Sequence, residues 1–175
     1  MSESAKIRER ILPLLRDKTV LDIGCGREKI VPWAVGADDF REYDRTFPAA
    51  DLLVDVSPET RQLEISLSRL PLFDVVFSSH TLEHMPSPIR KTLDYWLQFV
   101  RTSGYFIGYL PTERQYQFDP QNPKRRNPAH VHLLVPEVIR WHLEQMELDR
   151  RVEIEQFEVE NAPFYSFLFV VRRIS

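Results

Sequence analysis

The chain has 175 residues, which is enough for one domain with a hydrophobic core. It carries 23 Lys and Arg against 26 Asp and Glu, and this near balance argues against a protein that binds nucleic acid through bulk positive charge. Hydrophobic residues make up 43% and charged residues 28%, values that exclude disordered and collagen-like chains. We therefore expect one globular domain over residues 1–175.

The compartment follows from the cysteine count and the N-terminal segment. Cys25 is the single cysteine, so no disulfide can form within the chain. The first 18 residues are charged where a signal peptide needs an apolar run. No stretch approaches the ~18 apolar residues that cross a bilayer. These features predict a cytoplasmic protein without a membrane span.

Three segments have the apolar spacing of helices. Ile7, Ile11, Leu14 and Leu15 predict an N-terminal helix with Ser4 as its cap. Two further helices are predicted over residues 89–100 and 135–148. Their apolar faces hold Leu93, Trp96, Leu97 and Val100 in the first, and Val138, Ile139, His142 and Met146 in the second.

Seven short apolar runs predict β-strands between and after these helices. The first run is TVLDI, and the others span residues 34–38, 50–56, 73–79, 104–110, 152–160 and 164–171. Alternating strands and helices predict an α/β sandwich with a mostly parallel sheet. The last two strands are separated by only three residues, so they are expected to form an antiparallel hairpin at the end of the sheet.

A glycine turn follows the first strand. Gly24 and Gly26 lie where an open α/β sheet brings its backbone close to a ligand. In the spacing G-x-G-x-x-G the last position is Lys29, which removes the fingerprint of a dinucleotide site. A phosphate-binding loop is also excluded, because no G-K-[ST] follows. An adenosine ligand without a pyrophosphate remains.

Aspartates stand at the ends of successive strands. Asp38 closes the second strand and Asp55 the third, while Asp22 precedes the glycine turn. A single aspartate at a strand end is common, because its side chain stabilises turns. Three in succession favour a ligand site, where carboxylates accept hydrogen bonds from ribose hydroxyls and the adenine amine, and Asp22 orders the loop or holds a water near a cationic amino group.

These segments together resemble the class I S-adenosylmethionine-dependent methyltransferases. The resemblance rests on VLDIGCG, AVGAD, ADLLVDV, FDVVFSSHTLEHMPSP and GYFIGYLP, which cover most of residues 19–111. It implies a Rossmann-like three-layer sandwich and S-adenosylmethionine as the cofactor. It also implies cofactor contacts from the glycine turn, the strand-end acids and the end of the fourth strand: Gly24, Cys25, Gly26, Asp38, Asp55, Val56, Ser78 and Ser79.

Two features depart from the family pattern. The third glycine of the turn is replaced by Glu28, and the stretch before AVGAD is so short that the first crossover helix must be abbreviated. A second alignment takes FREYD as the second strand, with Asp44 as the ribose acid. We favour Asp38, because AVGAD is the more apolar segment and suits a buried strand.

His80, Glu83 and His84 spell H-x-x-E-H, a signature of some zinc proteases. The context argues against zinc, because His80 directly follows a strand and Pro86 ends any helix at once. The methyltransferase resemblance instead places Ser78, Ser79 and His80 around the reacting groups. Glu83 and His84 are then turn and packing residues.

A second pair of histidines, His130 and His132, ends a long proline-rich loop over residues 111–133. The spacing H-x-H suits a metal on a strand, but the sequence offers no third ligand, so we predict no metal site. A loop histidine above the reaction site suits a general base, and His80 and His130 are the predicted catalytic residues. The cluster from Lys124 to Arg126 is interpreted as solvated surface, with capture of an anionic substrate as the alternative.

The acceptor is less well specified than the cofactor. In the methyltransferases that this chain resembles, enzymes that methylate amines often carry an N/D-P-P-Y segment after the fourth strand. No such segment follows here, so the resemblance favours oxygen over nitrogen as the methylated atom. With little chain left for a substrate cap, we expect a hydroxyl of a small molecule or a sugar-like glycan acceptor to be recognised by loops. The alternative is a non-catalytic module that binds S-adenosylmethionine as a scaffold or regulator.

Overall fold

The computed structural model describes residues 3–39, 49–112, 127–160 and 165–175. The strands in these ranges are β1 (Val20–Ile23), β2 (Val35–Asp38), β3 (Leu52–Leu53), β4 (Phe73–Ser79), β5 (Val100–Pro111), β6 (Val152–Glu160) and β7 (Ser166–Arg173). The helices are α1 (Glu3–Leu15), α2 (Gln62–Leu67), α3 (Ile89–Leu97) and α4 (Pro136–Leu148), with a 3₁₀ turn at Leu82–His84. None of the helices described here is long and apolar enough to cross a membrane.

The strands form one sheet in the order β3-β2-β1-β4-β5-β7-β6. The pairs from β3 through β5 are parallel, whereas β7 pairs antiparallel with both β5 and β6. This arrangement confirms the predicted α/β class, the mostly parallel sheet and the terminal hairpin. The parallel strands bring their carboxyl ends to one edge, which is where ligands bind in folds of this kind.

Helices cover both faces of the sheet, because side chains of a strand alternate between the two faces. On one face α1 contributes Ile7, Ile11 and Leu15 to a buried cluster with Val75 and Phe77 of β4. The opposite face packs against α2, α3 and α4. Its buried cluster includes Leu63, Leu93, Trp96, Ile139, Leu143, Met146, Val76 and Phe106.

Several element boundaries differ from the sequence predictions. Ser4 lies inside α1, which begins at Glu3, and so it does not cap the helix. The helix predicted over residues 89–100 ends at Leu97, and Val100 is the first residue of β5. On α4 the buried face carries Leu143, while Val138 is 40% exposed. The third strand pairs with β2 over Leu52 and Leu53 only, and one further hydrogen bond of 3.1 Å joins the Val54 amide to the Asp38 carbonyl.

Candidate functional site

A cavity of about 160 Å³ opens at the carboxyl ends of β1, β2 and β4. It combines carboxylates, histidines and apolar groups from five segments of the chain. Its lining consists of Gly24, Asp38, Asp39, Asp55, Val56, His80, Thr81, His84, Met85, Pro86 and Ala129. The cavity therefore contains most of the strand ends that the sequence marked as functional.

The glycine turn closes one side of this cavity through a contact that only glycine permits. Gly24 has φ of +72°, a conformation that residues with a side chain rarely adopt. A Cβ atom at this position would lie 1.9 Å from Thr81 Oγ1, so Thr81 packs directly against the turn. The Gly24 amide donates to the Ala37 carbonyl at 2.8 Å. The ends of β1, β2 and β4 are held together at this point.

Asp38 joins the end of β2 to the same turn. Its Oδ2 accepts a hydrogen bond of 2.8 Å from the Gly26 amide, and the side chain lines the cavity beside Asp39. One aspartate thus orders the turn and presents a carboxylate to the cavity. Asp44, the alternative ribose acid, lies outside the described residues.

Asp22 lies behind the turn and is 1% exposed. Its Oδ2 accepts a 2.6 Å hydrogen bond from the Ile30 amide, which fixes the short segment between the turn and β2. Burial raises the pKa of Asp22 to about 7, and the negative charge of Asp38 acts in the same direction. The sequence suggested that Asp22 either orders the loop or holds a water near a cationic amino group, and the hydrogen bond to Ile30 is of the kind that orders a loop.

The segment after β3 is fixed by helices on its own side of the sheet. The Asp55 amide donates to Gln62 Oε1 at 2.9 Å, and Asp55 Oδ1 accepts from the Ser57 amide at 2.8 Å. From α3, the Trp96 indole donates to the Val56 carbonyl at 2.9 Å. These bonds hold Asp55 and Val56 at the cavity wall.

His80 enters the cavity from the end of β4 in an unusual backbone conformation. Its φ is +50°, and its amide donates to the Tyr109 carbonyl at 2.9 Å. Ser166 Oγ lies 3.4 Å from Nε2, while Glu83 Oε1 lies 3.6 Å from Nδ1. Burial lowers the pKa of His80 to about 3, with smaller contributions from nearby cationic groups.

His130 reaches the site because its segment is bonded to the 3₁₀ turn. The Glu83 carbonyl accepts hydrogen bonds from the amides of Val131 at 2.7 Å and His132 at 3.0 Å. The rings of His84 and His130 meet edge to face, with centroids 4.7 Å apart. The two histidine motifs of the sequence are therefore neighbours in space.

The structure separates the predicted site residues into two groups. Gly24, Asp38, Asp55, Val56 and His80 line the cavity. The described lining does not include Asp22, Cys25, Gly26, Ser78, Ser79 or His130. Ser78 pairs with Ile23 and Gly108 in the middle of the sheet and is 1% exposed, which accounts for its position behind the wall. Burial also raises the pKa of the Cys25 thiol and keeps it protonated.

Six lining residues were not singled out from the sequence as contributors to the cavity: Asp39, Thr81, His84, Met85, Pro86 and Ala129. Asp39 follows Asp38 directly, and this pair of acids at a strand end was a usable signal. No sequence signal pointed to Thr81, because its contact with the turn is possible only where Gly24 has no side chain. The other four lie in the turn after β4 and in the segment bonded to it.

The chain is similar to known proteins in sequence and in fold. A family model described as "Methyltransferase domain" matches residues 2–160. No curated protein matches the sequence at a significant level. The likeness to known proteins therefore rests on the family match and on solved structures.

Among solved structures, the N-methyltransferase NodS from Bradyrhizobium japonicum WM9 is 15% identical, with a TM-score of 0.60 and coverage of 99% of this chain and 97% of that one. The plantazolicin methyltransferase BpumL, solved in complex with SAH, is 11% identical with a TM-score of 0.64, covering 99% and 83%. The magnesium protoporphyrin IX methyltransferase ChlM from Synechocystis PCC 6803, with bound SAM, is 14% identical with a TM-score of 0.57, covering 97% and 79%. At these identities the likeness concerns the fold.

Proposed function

The chain belongs to the methyltransferase-domain family, as a class I S-adenosylmethionine-dependent methyltransferase, and from this premise we propose that it methylates a hydroxyl of a small-molecule or sugar-like acceptor. One observation above all others supports a cofactor-binding site. Three aspartates, Asp38, Asp39 and Asp55, line a cavity beside a glycine turn that carries a positive φ. This arrangement supports cofactor binding, and methyl transfer to an acceptor is what separates an enzyme from a module that only binds S-adenosylmethionine.

The chemistry of the cavity fits S-adenosylmethionine. Carboxylates accept hydrogen bonds from ribose hydroxyls and from the adenine amine, and their negative charge suits a cationic ligand. Val56, Met85 and Pro86 offer apolar surface for a planar base. We assign Asp38 and Asp55 to the adenosine part of the cofactor and the turn from Gly24 to Gly26 to its methionine part.

S-adenosylmethionine, when bound, supplies a methyl carbon that is already activated as an electrophile. The protein therefore acts mainly by positioning, an effect that can lower a barrier by about 7–11 kcal/mol. The turn and the strand-end carboxylates hold the cofactor. We assign His80 to the acceptor, because His80 lines the cavity, where an imidazole can hydrogen-bond an acceptor hydroxyl.

The first test is cofactor binding measured by isothermal titration calorimetry with S-adenosylhomocysteine. We expect a Kd in the micromolar range, equivalent to about −8 kcal/mol, and no binding of NAD. Asp38→Asn should weaken binding roughly ten- to a hundredfold, because a charged hydrogen bond is worth about 1.5–3 kcal/mol.

Asp51→Asn is the matched control for Asp38→Asn. Asp51 also accepts a backbone hydrogen bond, from Gly36 at 2.8 Å, but it does not line the described cavity. Its replacement should leave affinity for S-adenosylhomocysteine unchanged. Equal losses in both variants would assign the effect of Asp38 to loop structure, and absence of any binding would contradict the proposed function.

The acceptor requires a separate measurement, since NodS is described as an N-methyltransferase. Labelled methyl transfer is measured with a panel of sugars, phenols and amines of matched size. We expect label on hydroxylated compounds. Transfer restricted to amines would keep the enzyme class and overturn the assignment of oxygen as the methylated atom.

A further inference from the structure

Glu83, His84 and His130 bring three metal-ligating side chains to one point beside the cavity. Their donor atoms all lie within 4.8 Å of one another. Glu83 is fully buried, at 0% exposure, while the two histidines are half-buried. In the sequence the H-x-H motif of His130 lacked a third ligand, and the fold brings His130 to Glu83 and His84 of the other histidine motif.

The main chain holds these residues in place. Glu83 and His84 belong to the 3₁₀ turn after β4, where the His84 amide donates to the Thr81 carbonyl at 3.0 Å. His130 is carried by a segment whose next two amides, of Val131 and His132, both donate to the Glu83 carbonyl. The segment is fastened again where His132 Nε2 lies 2.8 Å from the Ser87 carbonyl. The cluster is thus built by backbone contacts between distant parts of the chain.

The donor set selects a class of metal. Two imidazole nitrogens and one carboxylate oxygen suit Zn²⁺ and related divalent transition metals, whereas Mg²⁺ and Ca²⁺ prefer oxygen ligands alone. Three protein ligands also leave a coordination position for water or substrate, as in catalytic zinc sites.

We propose that Glu83, His84 and His130 bind one Zn²⁺-class divalent metal ion at the wall of the cavity. The ligand atoms draw together by a small movement around the ion, because Glu83 Oε1 and His84 Nε2 are now 4.0 Å apart. His84 itself lines the cavity, so an ion held by this cluster lies beside it. This gives His130 the role of a metal ligand in place of a general base.

The experiment uses the purified protein without a histidine tag, stripped of metal by dialysis against a chelator. Co²⁺ is titrated into the protein and followed by its visible absorption, and Zn²⁺ is titrated by calorimetry. We expect one bound ion per chain. His84→Ala and His130→Ala should each weaken binding by more than the roughly 10–100-fold that loss of an outer contact to a metal ligand costs.

His142→Ala is the matched control, since His142 lies on α4 outside the cluster. It should bind Co²⁺ as tightly as the wild type. Glu83→Gln tests the carboxylate with little change of volume, and far-UV circular dichroism verifies that each variant is folded. Equal binding by the wild type and His130→Ala, or no binding of either ion by the wild type, overturns the proposal.

Metal binding is measured here without cofactor or acceptor. Its failure therefore leaves the methyltransferase assignment intact. In turn, a protein that binds Co²⁺ through Glu83, His84 and His130 but does not bind S-adenosylhomocysteine would contradict the proposed function alone.

Discussion

Asp22 illustrates how a single carboxylate can make stability depend on pH. Its pKa is about 7 in the folded chain and near 3.9 in an unfolded one. Between these values the folded state binds a proton that the unfolded state does not. The free energy of unfolding therefore falls as pH rises from about 4 to about 7, and this contribution is absent above that range.

Asp22→Asn removes the titrating group and keeps an oxygen that can accept the Ile30 hydrogen bond. We expect the stability difference between wild type and variant to change by about 2–3 kcal/mol, against the wild type, between about pH 5 and about pH 8. Urea unfolding at the two pH values measures it. Parallel curves for the two proteins would show that Asp22 does not titrate in this window.

Helix α3 acts on the cavity through one hydrogen bond at its buried face. Trp96 is 1% exposed, and its indole donates to the Val56 carbonyl, which lies next to Asp55. Trp96→Phe keeps an aromatic ring but leaves that carbonyl without its donor. The lost bond should lower the free energy of unfolding by about 1–3 kcal/mol, measured by urea denaturation.

Trp141→Phe provides the comparison for this variant. Trp141 lies on α4 and is 55% exposed, so the same replacement should change stability by no more than about 0.5 kcal/mol. A similar loss in both variants would mean that the indole bond of Trp96 contributes little beyond ring volume.

Local sequence pattern was sufficient to predict the strands in which apolar residues recur from one end to the other. The strands β4 and β6 match their predicted ranges, because apolar residues recur along their whole length. Helix α2 was not predicted, since its six residues contain only two buried side chains, Leu63 and Leu67. The predicted third strand was too long because its pairing with β2 covers only Leu52 and Leu53, whereas Val56 belongs to the same buried cluster as Leu63 and Leu67, and Val54 packs against that cluster.

The candidate site depended more strongly on the whole fold. Gly24, Asp38 and Asp55 were accessible to sequence reasoning, because each directly follows or ends a recognisable strand. The meeting of Glu83 with His130 was not, since 46 residues separate the two positions and backbone hydrogen bonds bring them together. Spacing in a sequence cannot report such a contact.

At the scale of the whole molecule, both buried clusters share one sheet. Val75 and Val76 of β4 point to opposite faces and contribute to different clusters. Loss of either cluster exposes a face of the same strands, so the prediction of a single domain implies one cooperative unfolding transition. Tryptophan fluorescence and far-UV circular dichroism should give coincident urea curves. Two separated transitions would indicate independently folding parts.

The outer strand of the sheet bears on how the protein behaves at high concentration. β6 ends the strand order, and its exposed side chains include Glu153, Glu155 and Glu158. A second copy that paired with this edge would bring its own glutamates opposite these, and like charges placed across a strand pair repel. Two arginines offset part of this charge in the described residues, where Arg172 pairs with Glu153 and Glu155 and Arg10 pairs with Glu158. The acidic edge thus discourages the chain from polymerising through its sheet.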